Sequence, residues 1–247
     1  GVRLVGSEMC IRDRYYGTLL IRNWRSKNKS YAQHGEDLLV EQLLGKIKSF
    51  IDVGANDGVL FSNTYKFAKT GAGGLCLEPS PSCFLKLRLN HLFHPRVKCV
   101  RAAVSNRSGS ISFIKDGYEE VLSRVTDSSC SQNANHSIDE PTISVPALTL
   151  KKILHRYSCF QQVDLLSVDV EGHEKQVFEG LQGYPFKARI IILEADKMET
   201  RRILSLPFFE DYAPKYTNGV NLFLMHKSEA EKQRNQNNSL PGKFVHC

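Results

Sequence analysis

Short apolar runs that alternate with helical segments constrain the fold of this chain more than any other feature. Five runs have the length and composition of buried strands: SFIDVG (49–54), GLCLEP (74–79), VKCVRAAVS (97–105), VDLLSVDV (163–170) and ARIIILEA (188–195). Predicted helices lie between or beside them, in residues 31–46, 62–70, 81–92, 174–181 and 197–206, and segment 145–157 leads into a further helix. Asn218-Gly219 then separates two further apolar runs, which is a strong hairpin signal. The pattern predicts an α/β fold: an open, mostly parallel seven-stranded sheet with helices on both faces and a C-terminal antiparallel hairpin.

Local signals between these elements predict caps, a further strand and a long loop. Thr149 is expected to cap the helix of segment 145–157, and Ser62 or Asn63 the helix of segment 62–70. SISFI (110–114) alternates like a half-exposed strand. Residues 115–142 are polar and rich in turn formers, so we expect a long loop or lid there.

Composition and charge are those expected of an ordinary soluble globular protein. The 247 residues suffice for one core, and no apolar run approaches the roughly 20 residues that span a bilayer. The net charge is +7, but no aromatic-interleaved basic motif accompanies it, so a solvated surface is favoured over nucleic-acid binding. The seven cysteines form no CxxC pair, which favours a reducing, cytoplasmic location. Four Asn-x-Ser sequons point the other way but arise often by chance.

The first residues do not have the pattern of a folded protein segment. LVGSEMCIRDR (4–14) has no period or turn logic and resembles a translated sequencing adapter, although a genuine disordered N-terminus is the alternative. We therefore predict four segments: 1–14 of adapter or disordered character, a polar segment 15–30, a catalytic domain 31–226 and a polar tail 227–247. The oligomeric state is not predicted.

A glycine loop follows the first strand and suggests a nucleoside ligand. In IDVGANDG (51–58), Gly54 permits a tight turn and Gly58 a close backbone approach. Glu78 ends the second strand, where an acid accepts hydrogen bonds from ribose hydroxyls. Asp52 precedes the turn, where a carboxylate could meet a cation. The loop lacks the G-x-G-x-x-G pattern that cradles a pyrophosphate.

These features together fit S-adenosylmethionine, which carries a ribose, a sulfonium cation and an amino acid but no phosphate. Three alternatives stay open. The glycines could be plain turn residues and Glu78 a surface acid, the protein could be an NAD-type oxidoreductase, or it could be a non-catalytic module that retains the fold.

Several ordered motifs resemble FkbM-type methyltransferases. They are AQHGEDLLV (32–40), FIDVGANDGVLFSNT (50–64), LCLEPSP (75–81), AAVSN (102–106), VDLLSVDVEGHE (163–174) and ILEAD (192–196). The resemblance implies a class I methyltransferase (Rossmann-like) fold, S-adenosylmethionine as donor and, usually, O-methylation of a sugar or small metabolite. It places the cofactor against Asp52, Gly54, Asn56 and Gly58, with Glu78 on the ribose. Many family members carry Lys where this chain has Ser167, so no role is assigned to that position.

The segment that precedes the first helix supplies further candidates. We assign Gln33 and Glu36 to the cofactor pocket. For His34, Glu36 and Asp37 the alternative is a helix start that carries acids in its first turn, where the helix dipole favours them.

Acids at the end of the fourth strand are the catalytic candidates. Asp169 and Glu171 share a face of the strand end, and His173 follows. We rank Asp169 first as general base because burial raises the basicity of a carboxylate. His173 has the better intrinsic pKa, whereas Glu174 is expected to be structural. The alternative is a Mg²⁺ site formed by Asp169, Glu171, Glu194 and Asp196, but no metal is predicted.

Overall fold

A computed structural model of the chain describes residues 30–114, 124–126, 142–194, 197–233 and 244–246. The predictions for segment 1–14, for all but the last residue of segment 15–30, for most of the loop 115–142 and for Asp196 lie outside these residues.

The described residues form two β-sheets and the helices that cover the larger of them. The strands are β1 (Ser49–Val53), β2 (Gly73–Leu77), β3 (Val97–Val100), β4 (Ala103–Val104), β5 (Gly109–Ile114), β6 (Arg124–Thr126), β7 (Thr142–Leu148), β8 (Gln162–Val168), β9 (Lys187–Glu194), β10 (Tyr212–Thr217), β11 (Asn221–His226) and β12 (Val245–His246). The α-helices are α1 (Glu36–Leu44), α2 (Tyr65–Lys69), α3 (Pro81–Asn90), α4 (Leu150–Arg156), α5 (Glu174–Glu179), α6 (Lys197–Leu204) and α7 (Lys227–Gln233).

The large sheet has the strand order β12-β10-β11-β9-β8-β1-β2-β3. Strands β1, β2, β3, β8 and β9 pair in parallel, while β11 runs antiparallel to both β9 and β10. The predicted open, mostly parallel sheet with its C-terminal hairpin is confirmed, and the two-residue strand β12 adds an eighth strand at one edge. The strand order reverses between β1 and β8, which is where such sheets bind ligands.

The small sheet has the order β4-β7-β5-β6 and was only partly predicted. The predicted third strand (97–105) divides, since residues 97–100 join the large sheet and residues 103–104 pair with β7. Strand β7 occupies part of a segment that we expected only to lead into a helix. Thr149 caps that helix as predicted, because its side chain accepts a hydrogen bond from the Lys152 N–H at 3.1 Å.

Apolar side chains pack on both faces of the large sheet and hold the helices against it. One cluster joins β8 and β9 to α4, α5 and α6 through residues such as Leu154, Phe178 and Ile203. The other cluster joins the opposite face to α1, α2 and α3 through Leu39, Phe67 and Leu87. Helices therefore cover both faces, as the alternation of strands and helices predicts.

The C-terminal residues also pack against the sheet. Helix α7 carries Glu229, which is 7% exposed and accepts hydrogen bonds from Arg189 Nε and Nη2 at 3.0 and 2.8 Å. Phe244 is buried against Phe223 of β11. Among the described residues, no helix is long and apolar enough to cross a bilayer.

Candidate active site

A cleft lies at the carboxyl ends of β1, β2 and β8, beside the point where the strand order reverses. The register of the sheet brings its walls together, because Val53 pairs with Leu77 on one side and with Val168 on the other. The lining comes from four segments, which are the strand ends and the loops after them: Asp52–Asn56 with Leu60–Asn63, Leu77–Pro79, Ala102–Val104 with Phe113, and Ser167 with Asp169–Glu171.

Gly54 turns the chain where no other residue would fit. Its φ is +84°, and a Cβ at this position would lie 1.7 Å from the carbonyl oxygen of Asp169. Gly58 also has a positive φ of +78°, and a Cβ there would lie 2.5 Å from Leu87 Cδ1 of α3. Gly54 thus lets the loop pack against the β8 strand end, whereas Gly58 lets it pack against α3 and does not line the cleft.

The amide groups of the glycine loop are largely used within the protein. The N–H groups of Gly54 and Ala55 both donate to the Leu77 carbonyl, at 3.0 and 3.1 Å. Asn56 N–H donates to Glu78 Oε2 at 2.8 Å, and Gly58 N–H donates to the Ala55 carbonyl. A phosphate cradle needs several N–H groups that point at the ligand, and these four already have other acceptors.

Glu78 is held in a fixed orientation at the end of β2. It is 5% exposed, and its two carboxylate oxygens accept hydrogen bonds from the backbone N–H groups of Asn56 and Ser80, at 2.8 and 2.7 Å. Each carboxylate oxygen can accept more than one hydrogen bond. The side chain can therefore bind a ligand hydroxyl while the backbone keeps it in place.

Asp52 lines the base of the cleft and is difficult to ionise. It is 5% exposed and accepts a 2.6 Å hydrogen bond from Thr64 Oγ1. Burial raises its pKa from 3.8 to about 6, although the bond from Thr64 partly opposes this. Nearby, Asn63 Nδ2 donates to Ser167 Oγ at 3.0 Å, a contact between residues 104 positions apart that no sequence motif indicates.

Asp169 belongs to a tight group of carboxyls. One carboxylate oxygen from each of Asp169, Glu171 and Glu194 lies within 4.8 Å of the others. Burial is the main reason that the pKa of Asp169 lies well above its usual range, and the charges of Glu194, Glu171 and Glu174 raise it further. A side-chain hydrogen bond between Asp169 and Glu194 raises the pKa of Asp169 as well.

Glu174 supports the loop that carries these acids. It is 1% exposed, and its Oε1 accepts hydrogen bonds from the N–H groups of Val170 and Gly172 at 3.2 and 3.1 Å. Burial raises its pKa from 4.5 to about 7. Glu171, between the two donors, has a left-handed backbone with φ of +53°. The predicted structural role of Glu174 agrees with this geometry.

Four of the predicted site residues do not line the cleft: Gly58, as described above, and three others. His173 is 4% exposed, and its Nε2 lies 3.0 Å from Ser105 Oγ. Glu36 is fully buried, and its Oε1 accepts hydrogen bonds from the side chains of Asn218 and Asn221 in the β10–β11 hairpin. Gln33 is exposed, although the bridge between Ala32 and Phe61 places its segment beside the cleft.

The start of α1 agrees with the alternative that we left open. Glu36 Oε2 accepts a hydrogen bond from the His34 N–H, and Asp37 accepts one from the Tyr31 N–H, both at 2.8 Å. The acids in the first turn thus bind backbone donors of the segment that leads into the helix.

The small sheet contributes cleft residues that sequence reasoning missed. Ala102–Val104 and Phe113 come from β4, β5 and the residue before β4. The alternation of SISFI does predict that Phe113 points to a buried face, but nothing in the sequence indicates that this face meets the glycine loop.

A family model described as the methyltransferase FkbM domain matches residues 52–217. This chain belongs to the FkbM methyltransferase family. The resemblance that the motifs indicated is therefore confirmed, and with the strand order above the methyltransferase fold is established. None of the curated proteins that were compared matches the chain.

The solved structures that match this chain share little sequence with it. A methyltransferase FkbM from Methylobacillus flagellatus is 12% identical with a TM-score of 0.46, and the match covers 72% of this chain but only 43% of that protein. A methyltransferase from Geobacter sulfurreducens is 12% identical with a TM-score of 0.45, and the match covers 86% and 88% of the two chains. A putative caffeoyl-CoA O-methyltransferase from Staphylococcus aureus is 9% identical with a TM-score of 0.47, covering 90% and 99%.

Proposed function

We propose that this protein transfers a methyl group from S-adenosylmethionine to a hydroxyl group of a sugar or small metabolite. The observation that carries the proposal is the position of Glu78, whose carboxylate is held by two backbone N–H groups at the edge of the cleft. An acid at the end of the second strand is where a nucleoside ribose is bound in this type of sheet.

The charges of the cleft fit this cofactor. The described lining contains the carboxyls of Asp52, Glu78, Asp169 and Glu171 and neither lysine nor arginine. A sulfonium cation and an ammonium group gain favourable electrostatic energy among such carboxyls, whereas a pyrophosphate would be repelled. The glycine-loop N–H groups, already bonded to Leu77 and Glu78, also disfavour a dinucleotide.

Each acid then has a separate task. Glu78 accepts hydrogen bonds from the ribose hydroxyls, and Asp52 faces the positively charged part of the ligand. The cofactor supplies an electrophilic methyl group on its sulfonium. Asp169 would hold the acceptor hydroxyl and take its proton. Its raised pKa makes the ionised carboxylate a stronger base than an ordinary aspartate.

The acceptor pocket is expected on the side of the cleft where the small sheet lies. Phe113 and Ala102–Val104 give this wall an apolar surface next to the carboxyls of Asp169 and Glu171. Sugars present both apolar C–H faces and hydroxyls, so such a wall suits them. Alignment of acceptor and methyl group, rather than acid–base catalysis alone, is expected to supply much of the rate acceleration.

The proposal is tested by titrating the purified protein with S-adenosylhomocysteine and, separately, with NAD in a calorimeter. Binding of the first ligand but not the second is expected, and the reverse result would refute the proposal. Incubation with labelled S-adenosylmethionine and fractionated glycans or metabolites then tests transfer. Cofactor binding without transfer to any fraction, in contrast, would favour the non-catalytic alternative.

A further inference from the structure

Helix α3 presents apolar side chains on both of its sides. Its inner side buries Cys83 and Leu87 against the sheet. Its outer side carries Leu85, Arg88, Leu89 and Leu92 at positions i, i+3, i+4 and i+7, which form one continuous stripe along the helix and the turn that follows. The exposed fractions of the three leucines are 60%, 46% and 66%, and that of the adjacent Phe93 is 87%. Outer helix faces are normally polar.

The charged residues of the segment that carries this stripe all have one sign. No aspartate or glutamate occurs from Pro79 to Ile114, whereas six basic residues do: Lys86, Arg88, Arg96, Lys98, Arg101 and Arg107. Arg96 and Lys98 flank Val97, the first residue of the edge strand β3, and both are exposed. We define the α3 patch as Leu85, Arg88, Leu89, Leu92, Phe93, Arg96 and Lys98.

We propose that the α3 patch docks this protein on an anionic lipid surface. Leucine and phenylalanine side chains that enter the headgroup region, surrounded by lysine and arginine that meet lipid phosphates and carboxylates, are the features that hold a helix at a membrane interface. The protein then lies on the membrane without spanning it. This inference does not depend on which cofactor the cleft binds.

A second copy of the chain and a nucleic acid are both less suitable occupants of the α3 patch. A second copy that docked through the same patch would bring the basic residues of both copies together without any acid to neutralise them. A nucleic acid would neutralise the arginines but would leave the leucine stripe in water. An anionic membrane satisfies the apolar stripe and the basic residues at once.

The test is co-sedimentation of the full chain with vesicles of neutral phosphatidylcholine or of phosphatidylcholine with about one third phosphatidylserine. We expect binding to the anionic vesicles, weak binding to the neutral ones, and release of the protein as salt is raised to about 0.5 M. Failure to bind anionic vesicles at low salt would overturn the proposal.

Two variants separate the apolar and basic contributions. Leu92→Ser with Phe93→Ser is expected to lower partitioning onto anionic vesicles at least tenfold. Arg96→Glu with Lys98→Glu is expected to lower it about 25-fold or more, since each basic residue near such a surface contributes roughly fivefold. Val220→Ser and Arg201→Glu alter an exposed apolar and an exposed basic residue elsewhere in the chain, and both should bind like the wild type.

Melting temperatures within a few degrees of the wild type establish that the variants are folded. If both patch variants melt normally and still bind anionic vesicles fully, the patch is not the lipid contact. Sedimentation velocity in the absence of lipid tests whether a second copy of the chain occupies the patch instead. If the wild type is a dimer and the double variant Leu92→Ser, Phe93→Ser is a monomer, the patch binds a second copy and the lipid proposal is refuted.

Discussion

Replacement of Glu78 by alanine should weaken both folding and cofactor binding, and the structure allows the two effects to be separated. The change removes the acceptor for the N–H groups of Asn56 and Ser80. A backbone donor that is buried without an acceptor costs about 1–3 kcal/mol. The free energy of unfolding should therefore fall by about 2–6 kcal/mol, toward the lower value because water can enter the cleft. The loss of the charge-assisted bonds to ribose should weaken S-adenosylhomocysteine binding by about a further 1–3 kcal/mol.

Asp57 provides a matched control for this experiment. It lies in the same loop, is 2% exposed, and its Oδ1 accepts backbone hydrogen bonds from Val59 and Leu60 at 2.8 and 2.7 Å, but it does not line the cleft. Glu78→Ala and Asp57→Ala, studied by urea denaturation and calorimetry, should lose comparable stability. Only Glu78→Ala should lose tenfold or more in ligand affinity. Equal losses of affinity in the two variants would mean that Glu78 acts solely by shaping the loop.

The remaining predictions concern three residues of the cleft: Gly54, the proposed general base Asp169 and the buried Asp52. Gly54→Ala should destabilise the protein by about 2–5 kcal/mol in urea denaturation, because its Cβ would meet the Asp169 carbonyl; Gly219→Ala, with φ of +89° but open space around it, should cost only about 1–2 kcal/mol. Asp169→Asn should lower kcat about 10²-fold while S-adenosylhomocysteine still binds, and unchanged turnover would remove Asp169 from catalysis. As the pH rises from about 4 to about 6, the unfolded state loses the Asp52 proton before the folded state does. The wild type should therefore lose up to about 3 kcal/mol of stability that Asp52→Asn retains, as pH-dependent denaturation would measure.

The large sheet was predictable because each of its central strands is buried on both faces. Such strands appear in the sequence as continuous apolar runs, as in β8 and β9, because the side chains on both faces of the strand are buried. The small sheet was harder to predict because β4 has two residues and β7 contains Pro146, a residue type that argues against a strand. A strand of two residues has no period to detect, and its pairing with β7 depends on a partner more than 40 residues away.

The cleft was partly predictable for a similar reason. Asp52, Gly54, Glu78 and Asp169 each end a strand or follow one, so the parallel register alone brings them to one edge. His173 was placed in the site because it is near Asp169 in sequence, but the turn through Glu171 and Gly172 directs it to Ser105 instead. Distance along the chain is a poor guide once the backbone enters a left-handed turn.

The acids after β8 differ in role because the backbone gives each a different environment. Asp169 donates its own N–H to the Val53 carbonyl at 3.0 Å, and its carbonyl oxygen occupies the space that a side chain at position 54 would need. The glycine loop and the proposed catalytic acid are thus parts of one contact, and a shift of either moves the other. Glu174 fixes the turn beyond it by accepting the Val170 and Gly172 N–H groups. Methyl transfer requires donor and acceptor to be aligned within a fraction of an ångström. Because of this shared contact, we expect a change at Gly54 to weaken binding and catalysis together, whereas a change at Asp169 should weaken catalysis and leave binding intact.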